Sequence, residues 1–299
     1  MITKLGWSNV TVKYAVCNEL FGSISLQEAG SITHDHGFHG LELSPFTIFG
    51  DFSAGAISHG IALAKRAFAE TGLEFAGLHW LLAKPEGLHI TTSDKTFRRK
   101  SWNHLRRLVD AAAELGGGNL ILGSPKQRCS ESGQSREQAM SILSDELASI
   151  APYAAERQSV ILLEALSSDQ TDVVNLLAEA EAIVNYVGNP GVGGMFDFHN
   201  CTDETSSYEV LVEKHIQLIR HVHLNDADGN HPTPGDHLYL PAFAKLHELK
   251  YDRWVSLEIF TTPEDPATVL RETMEYLKDI ESLIKYSSQS HAADSSGAA

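Results

Sequence analysis

Four apolar segments in the second half of the chain each carry one ionisable residue near their C-terminal end. They are "LLEAL" with Glu164, "MFDFHN" with Asp197, "HVHLND" with His223 and "SLEIF" with Glu258. A buried strand excludes such groups unless hydrogen bonds or a metal ion satisfy them. Each group alone is also explained by an ordinary ion pair, but three converging carboxylates repel one another without a cation. The oxygen-rich set predicts a divalent ion, with Mn²⁺ preferred and Mg²⁺ or Co²⁺ as alternatives.

Alternating apolar and amphipathic segments divide the chain into eight strand–helix units. Strands are predicted at 3–8, 40–45, 74–82, 119–125, 159–166, 192–198, 221–226 and 254–260. "SREQ" at 135–138 indicates a capping box, and Thr262 with Pro263 indicates the start of the last helix. Eight uninterrupted units are typical of an α/β fold of the (β/α)8 TIM-barrel type. A doubly wound open sheet is disfavoured because no "GxGxxG" or "GxxxxGK" follows an early strand.

The predicted barrel is a single domain that spans residues 1–286. The small, polar segment 287–299 is expected to be a disordered tail. Functional groups of TIM barrels project from the carboxyl ends of the strands. Because the four strands that carry the ionisable residues are consecutive, their side chains are expected to converge on one point.

The composition restricts the class of partner. The chain has 23 Lys and Arg against 39 Asp and Glu, a formal net charge of −16, which disfavours nucleic acid as a partner. No apolar run reaches the roughly 20 residues that a membrane helix needs, so no membrane partner is expected. The start "MITKLGWSNV" lacks the features of a secretory signal, and the three cysteines form no CxxC. A cytoplasmic location is therefore predicted.

The order Glu, Asp, His, Glu at the ends of strands five to eight resembles the xylose-isomerase-like barrel superfamily. Within it, the D-tagatose 3-epimerase-like sugar phosphate isomerase/epimerase group is most similar, through "LLEAL", "GGMFDFHN", "HVHLNDADGNHPTPGD" and "SLEIF". The resemblance implies that Glu164, Asp197, His223 and Glu258 hold the metal ion, and that Glu164 and Glu258 are the catalytic acid–base pair. It further implies a carbohydrate substrate, epimerisation or isomerisation through an enediolate, and a homodimer or homotetramer.

Three positions depart from the epimerase pattern. Asn200 stands where a histidine is common, Gly229 where an arginine is common and Gln170 where a glutamate occurs. Asn200 and the adjacent His199 are expected to contact the substrate, although His199 could instead support a metal ligand. The departures leave the identity of the sugar open. A metal-dependent dehydratase and a hydroxypyruvate-type isomerase share the metal set and remain alternatives.

Further candidate substrate contacts lie at the ends of strands three and four. Lys126 and Arg128 could bind a phosphate or carboxylate of the substrate, or lie in a solvated loop. His79 could face the substrate, and Trp80 could stack on a sugar or pack in the core. Glu42 lies near the end of strand two, without an assigned role.

Two alternative functions outside sugar isomerisation and dehydration are less consistent with the residues at the strand ends. An abasic-site endonuclease of the same superfamily would need a metal-binding histidine on strand four, where this chain has Gly123 and Ser124. A non-catalytic carbohydrate-binding protein would have no need of three converging carboxylates.

Overall fold

A computed structural model describes residues 12–296, with side chains for residues 12–287. Eight parallel strands form a closed barrel in chain order, β1 to β8. They are β1 Lys13–Cys17, β2 Gly40–Leu43, β3 Glu74–Leu78, β4 Gly118–Leu122, β5 Ser159–Leu163, β6 Val192–Asp197, β7 Ile219–Leu224 and β8 Trp254–Leu257. The predicted single-domain (β/α)8 barrel is confirmed.

Helices surround the barrel and connect consecutive strands. They are α1 Leu26–Asp35, α2 Pro45–Ile48, α3 Ala54–Thr71, α4 Lys95–Glu114, α5 Pro125–Arg128, α6 Arg136–Glu156, α7 Leu177–Val187, α8 Tyr208–His215, α9 Leu240–Glu248 and α10 Pro266–Ser296, with a 3-10 helix at Asn18–Phe21. The predicted capping box is present at the start of α6, where Ser135 and Gln138 bond each other's backbone amides. Because helices cover the outside and side chains fill the inside, the strands are buried on both faces.

Three sequence predictions differ from the structure. The first barrel strand is Lys13–Cys17, which pairs with both β2 and β8; the segment near 3–8 lies outside the described residues. The last helix begins at Pro266 instead of Pro263, because Asp265 caps it by accepting from the Ala267 amide at 3.2 Å. Helix α10 continues to Ser296, so the backbone of 287–296, expected to be disordered, is helical.

No helix in the described part of the chain has the length and apolar character needed to cross a membrane.

His104, on α4, makes the stability of the fold depend on pH. Its ring packs on Phe52 with centroids 5.0 Å apart, and its Nε2 donates to the Leu81 carbonyl at 3.0 Å. Burial lowers the pKa of His104 to about 4, below the value of about 6.5 in an unfolded chain. The unfolded state therefore binds this proton more tightly, and stability is lost as the pH falls from about 6.5 towards 4, by up to about 3 kcal/mol.

We expect His104→Gln to remove this part of the pH dependence. The free energy of unfolding would be measured by denaturant titration near pH 7.5 and near pH 4.5. His59→Gln, at an exposed position on α3, is the matched control and should behave as the unmodified protein. Equal loss of stability on acidification in both variants would contradict the assignment.

Candidate active site

The structure brings together the four ionisable side chains at the carboxyl end of the barrel. Glu164 follows β5, Asp197 ends β6, His223 lies in β7 and Glu258 follows β8. Each offers one possible ligand atom, and these four atoms lie within 4.8 Å of one another. All four residues are buried. They form one compact cluster of possible metal ligands.

The two ring nitrogens of His223 face different carboxylates. Nε2 lies 3.1 Å from Glu42 Oε1, within hydrogen-bond distance. Nδ1 lies 2.9 Å from Glu258 Oε2 and 3.7 Å from Asp197 Oδ2, yet it makes no well-aligned hydrogen bond with a described group. A buried nitrogen in this position is satisfied when it ligates an ion while Glu42 holds the opposite side of the ring. The donor set therefore fits a divalent cation.

Charge in the cluster also favours a cation. Burial, with the charges of Asp197 and Glu258, raises the pKa of Glu164 well above its usual range. Burial opposes ionisation of Asp197 too, but the charge of the nearby His223 lowers its pKa. Burial also disfavours the charged form of His223, whereas the charges of Glu258 and Glu42 raise its pKa. Three carboxylates against one imidazole leave an excess of negative charge that a bound ion would neutralise.

Asn200 connects two carboxylates of the cluster. Its Nδ2 donates to Glu164 Oε1 at 3.1 Å and to Asp197 Oδ2 at 3.0 Å. Its Oδ1 accepts from Gln170 Nε2 at 2.7 Å. Asn200 and Gln170, which both depart from the epimerase pattern, thus bond each other. Asn200 orients Glu164 directly and Gln170 holds Asn200, a role that the sequence does not suggest for Gln170.

The end of β4 provides space for Glu164. A Cβ at Gly123 would collide with the Glu164 carboxylate, so this position accepts only glycine while Glu164 keeps its orientation. A metal-binding histidine at Gly123, as the endonuclease alternative requires on this strand, would displace Glu164.

Glu42, whose role the sequence does not reveal, lies at the centre of a buried network. Its side chain is 0% exposed. Oε1 lies 3.0 Å from His79 Nδ1, and Oε2 lies 2.7 Å from His221 Nε2, in addition to the His223 contact. Burial opposes the charge of Glu42, but His221 and His223 lower its pKa well below the usual range. The available sequence signal is the spacing of the histidines in "HVHL", which places both rings on one face of β7.

His79 extends this network towards solvent. Its Nε2 lies 2.7 Å from Oε2 of Glu19, a residue of the 3-10 helix after β1. Burial opposes protonation, but Glu19 and Glu42 raise the pKa of His79 to about 10. His79 was expected to face the substrate; it lines the cavity at the cluster, but carboxylates engage both of its ring nitrogens.

Two adjoining spaces open beside the cluster. The inner cavity, of about 60 Å³, is lined by Glu164, Glu258 and Asn200 among others. The outer cleft, of about 720 Å³, is lined by Glu19, His199 and Thr262 among others. Trp80, Gln170 and Phe260 line both spaces. A cleft of this size is in the range of small-molecule sites.

The remaining predicted contacts divide into two groups. His199 lines the outer cleft, and Trp80 stands at the junction of the two spaces. Lys126 is exposed, and neither it nor Arg128 lines either space. Arg128 is 0% exposed and donates to the carbonyls of Leu122 at 3.0 Å and Val174 at 3.3 Å. The structure therefore does not bring the predicted phosphate-binding pair to the site, because the guanidinium is used to join β4 to a neighbouring loop.

The fold and the site define a class of protein. A closed barrel of eight parallel strands carries a cluster of possible metal-ligand side chains at its carboxyl end. The family model described as "Xylose isomerase-like TIM barrel" matches residues 31–280. The chain belongs to this family.

Relatives with known activities are distant in sequence. The 3-dehydro-D-guloside 4-epimerase of Escherichia coli (strain K12) is 24% identical over 187 residues, which cover 60% of this chain and 71% of the relative. The ketose 3-epimerase of Arthrobacter globiformis is 23% identical over 226 residues, which cover 75% of this chain and 74% of the relative. The crystal structure of apo 3-keto-D-glucoside 4-epimerase from E. coli superposes with a TM-score of 0.77 at 22% identity, covering 90% of this chain and 100% of that one.

Proposed function

We propose that this protein is a divalent-metal-dependent epimerase that inverts a sugar carbon next to a ketone, with Mn²⁺ as the ion. The observation that carries the proposal is the buried cluster of Glu164, Asp197, His223 and Glu258, with its ligand atoms within 4.8 Å of one another. The choice of epimerisation is supported by two relatives that are both named as sugar epimerases.

Two glutamates are placed to move the proton. When bound, the ion would polarise the substrate carbonyl and acidify the adjacent C–H bond. Glu164 and Glu258 extend from β5 and β8, on either side of the strands that carry Asp197 and His223, and both line the inner cavity. One carboxylate takes the proton from the carbon next to the carbonyl and leaves an enediolate. The other returns a proton to the opposite face of that carbon, which inverts its configuration.

Neighbouring groups hold the two carboxylates for this task. Asn200 donates to Glu164, and His223 Nδ1 lies 2.9 Å from Glu258 Oε2. Trp80 and Phe260 stand at the junction with the outer cleft, through which a substrate would reach the two carboxylates. Return of the proton to the neighbouring carbon would instead give aldose–ketose isomerisation, which is distinguished by an aldehyde product.

The test is proton exchange in D₂O. The protein loaded with Mn²⁺ would be incubated with free ketoses, ketose phosphates and 3-keto-glycosides, and then freed of Mn²⁺ so that NMR can follow deuterium. We expect deuterium at the inverted carbon next to the carbonyl of one substrate class, with no exchange after chelation of the metal. Deuterium without inversion, accompanied by an aldehyde product, would identify an isomerase instead. One tightly bound ion per chain with no exchange across the panel would overturn the proposal.

A further inference from the structure

The outer cleft displays aromatic rings to solvent. Phe46, Trp80 and Phe260 line it and are 38%, 38% and 45% exposed. No other Phe or Trp is among the exposed large hydrophobic residues of the described chain. Exposed aromatic rings gathered in one cleft indicate a surface for an apolar or ring-shaped ligand, whereas scattered ones need no explanation.

The backbone is constrained at two of these aromatic residues. Trp80 has a φ of 51°, in the left-handed region that non-glycine residues rarely adopt. The Phe260 amide donates to the Gly229 carbonyl at 2.9 Å, and the Phe260 ring lies 4.8 Å from that of His199 between centroids.

Gly229 makes room for the Phe260 ring. A Cβ at Gly229 would approach Phe260 Cδ2 to 2.6 Å. Gly229, where the epimerases commonly have an arginine, therefore allows the Phe260 ring to form part of the cleft wall in this chain.

The charge of the cleft disfavours a phosphate. Glu19 and Asp169 line it, and Lys84 is the one lysine or arginine among its described lining residues. The Lys84 Nζ is paired with Glu86 Oε1 at 2.7 Å. Because Lys126 and Arg128 do not line the cleft, this one paired lysine stands against two lining carboxylates and the two charges of a phosphate monoester.

We propose that the outer cleft is a subsite for the uncharged aglycone ring of a glycoside, with the reacting carbons of the sugar at the inner cavity. The proposal rests on the function proposed above, because it places the reacting sugar beside Glu164 and Glu258. The outer cleft, at about 720 Å³, offers far more room than the inner cavity at about 60 Å³. Trp80, Gln170 and Phe260 line both, so a glycosidic bond passes between them and the aglycone stacks on the exposed rings.

The test is equilibrium binding of unreactive ligands to the Mn²⁺-loaded protein. Phenyl β-D-glucopyranoside, methyl β-D-glucopyranoside and glucose 6-phosphate lack the ketone, so binding is measured apart from turnover, by calorimetry. We expect the phenyl glycoside to bind about three- to tenfold more tightly than the methyl glycoside, the range for one aromatic contact. Glucose 6-phosphate should bind no better than the methyl glycoside.

Variants assign the preference to the cleft. Phe260→Ala and Trp80→Ala should reduce the preference for the phenyl glycoside. If Phe260→Ala does not fold, Phe260→Leu replaces it, because leucine keeps most of the side-chain volume but lacks the aromatic ring. Leu63→Ala, at an exposed apolar position on α3, is the control and should keep the preference. Equal affinities for the phenyl and methyl glycosides, or a preference that survives in folded Phe260 and Trp80 variants, overturn the subsite. A phenyl preference without deuterium exchange would refute the epimerase while retaining the subsite, so the two proposals fail separately.

Discussion

Replacing either Glu164 or Glu258 with Gln should slow deuterium exchange next to the carbonyl by about 10²- to 10⁴-fold, the usual contribution of one positioned acid or base. Gln keeps the size and one oxygen of the carboxylate but cannot take up a proton. Both side chains line the inner cavity from opposite sides of the cluster, so neither should substitute for the other. The measurement is the exchange rate at saturating Mn²⁺, with the metal content of each variant determined alongside.

Glu164→Gln should leave the metal-free fold intact. Burial and the charges of Asp197 and Glu258 raise the pKa of Glu164, so the folded protein binds a proton there more tightly than the unfolded chain. Native stability therefore falls as the pH rises above the unfolded value of about 4.3. Glu164→Gln lacks this dependence, and its stability relative to the unmodified protein should improve as the pH rises.

A surface variant controls for the loss of a carboxylate as such. Glu248→Gln removes a charge from α9, where Glu248 pairs with Lys245 at 2.7 Å, and should exchange deuterium at the full rate. If folded, metal-loaded Glu164→Gln and Glu258→Gln both did so as well, the acid–base assignment would be wrong.

Replacing Glu42 with Gln should weaken Mn²⁺ binding by about 10- to 100-fold, the usual cost of losing a carboxylate that orients a metal-ligating histidine. Glu42 Oε1 lies 3.1 Å from Nε2 of His223, which leaves Nδ1 directed at the cluster. A neutral amide cannot compensate the charge of His79, whose pKa the carboxylates raise to about 10. The free energy of unfolding should also fall, by about 3–5 kcal/mol, because partners of a buried charge lose their counter-charge.

Free Mn²⁺ can be titrated by its electron paramagnetic resonance signal, which does not depend on turnover. Glu42→Asp retains the charge and should recover part of the affinity. Glu74→Gln is a suitable control because Glu74 is a solvent-exposed residue of β3 whose carboxylate pairs with Lys13 of β1. An unchanged Mn²⁺ affinity in folded Glu42→Gln would refute the orienting role.

Local sequence patterns located the strands because both faces of a parallel strand are buried. In "SVILLEAL" an unbroken apolar run precedes Glu164, so the sequence indicates both the buried strand and the carboxylate at its end. The four clustered residues were grouped correctly because consecutive strands of a barrel are neighbours in space. Lys13–Cys17 is a short strand whose assignment depends on pairing with Gly40–Leu43 and Trp254–Leu257, which no local pattern records.

The contacts that the sequence did not predict join residues far apart in the chain. Glu42 meets His221 and His223 across the barrel, about 180 positions away in the sequence. Arg128 is a charged residue in a polar segment, and its burial is explained only in three dimensions, by the Leu122 and Val174 carbonyls and the charge of Glu164. Periodicity indicates which face of a strand is covered, but it does not specify the partner that a polar side chain meets there.

The chain of contacts from Glu19 through His79 and Glu42 to His223 has a thermodynamic consequence. Each link is a direct contact of 2.7 to 3.1 Å, and it joins the wall of the outer cleft to the cluster of possible metal ligands. A ligand that hydrogen-bonds to Glu19 changes the contact between Glu19 and His79. Because His79 also contacts Glu42, the change reaches the carboxylate that lies against His223. By linkage, any effect of such a ligand on ion affinity is matched by an equal effect of the ion on ligand affinity. Dissociation constants for the ion and for a ligand in the cleft are therefore meaningful only when the concentration of the other is stated.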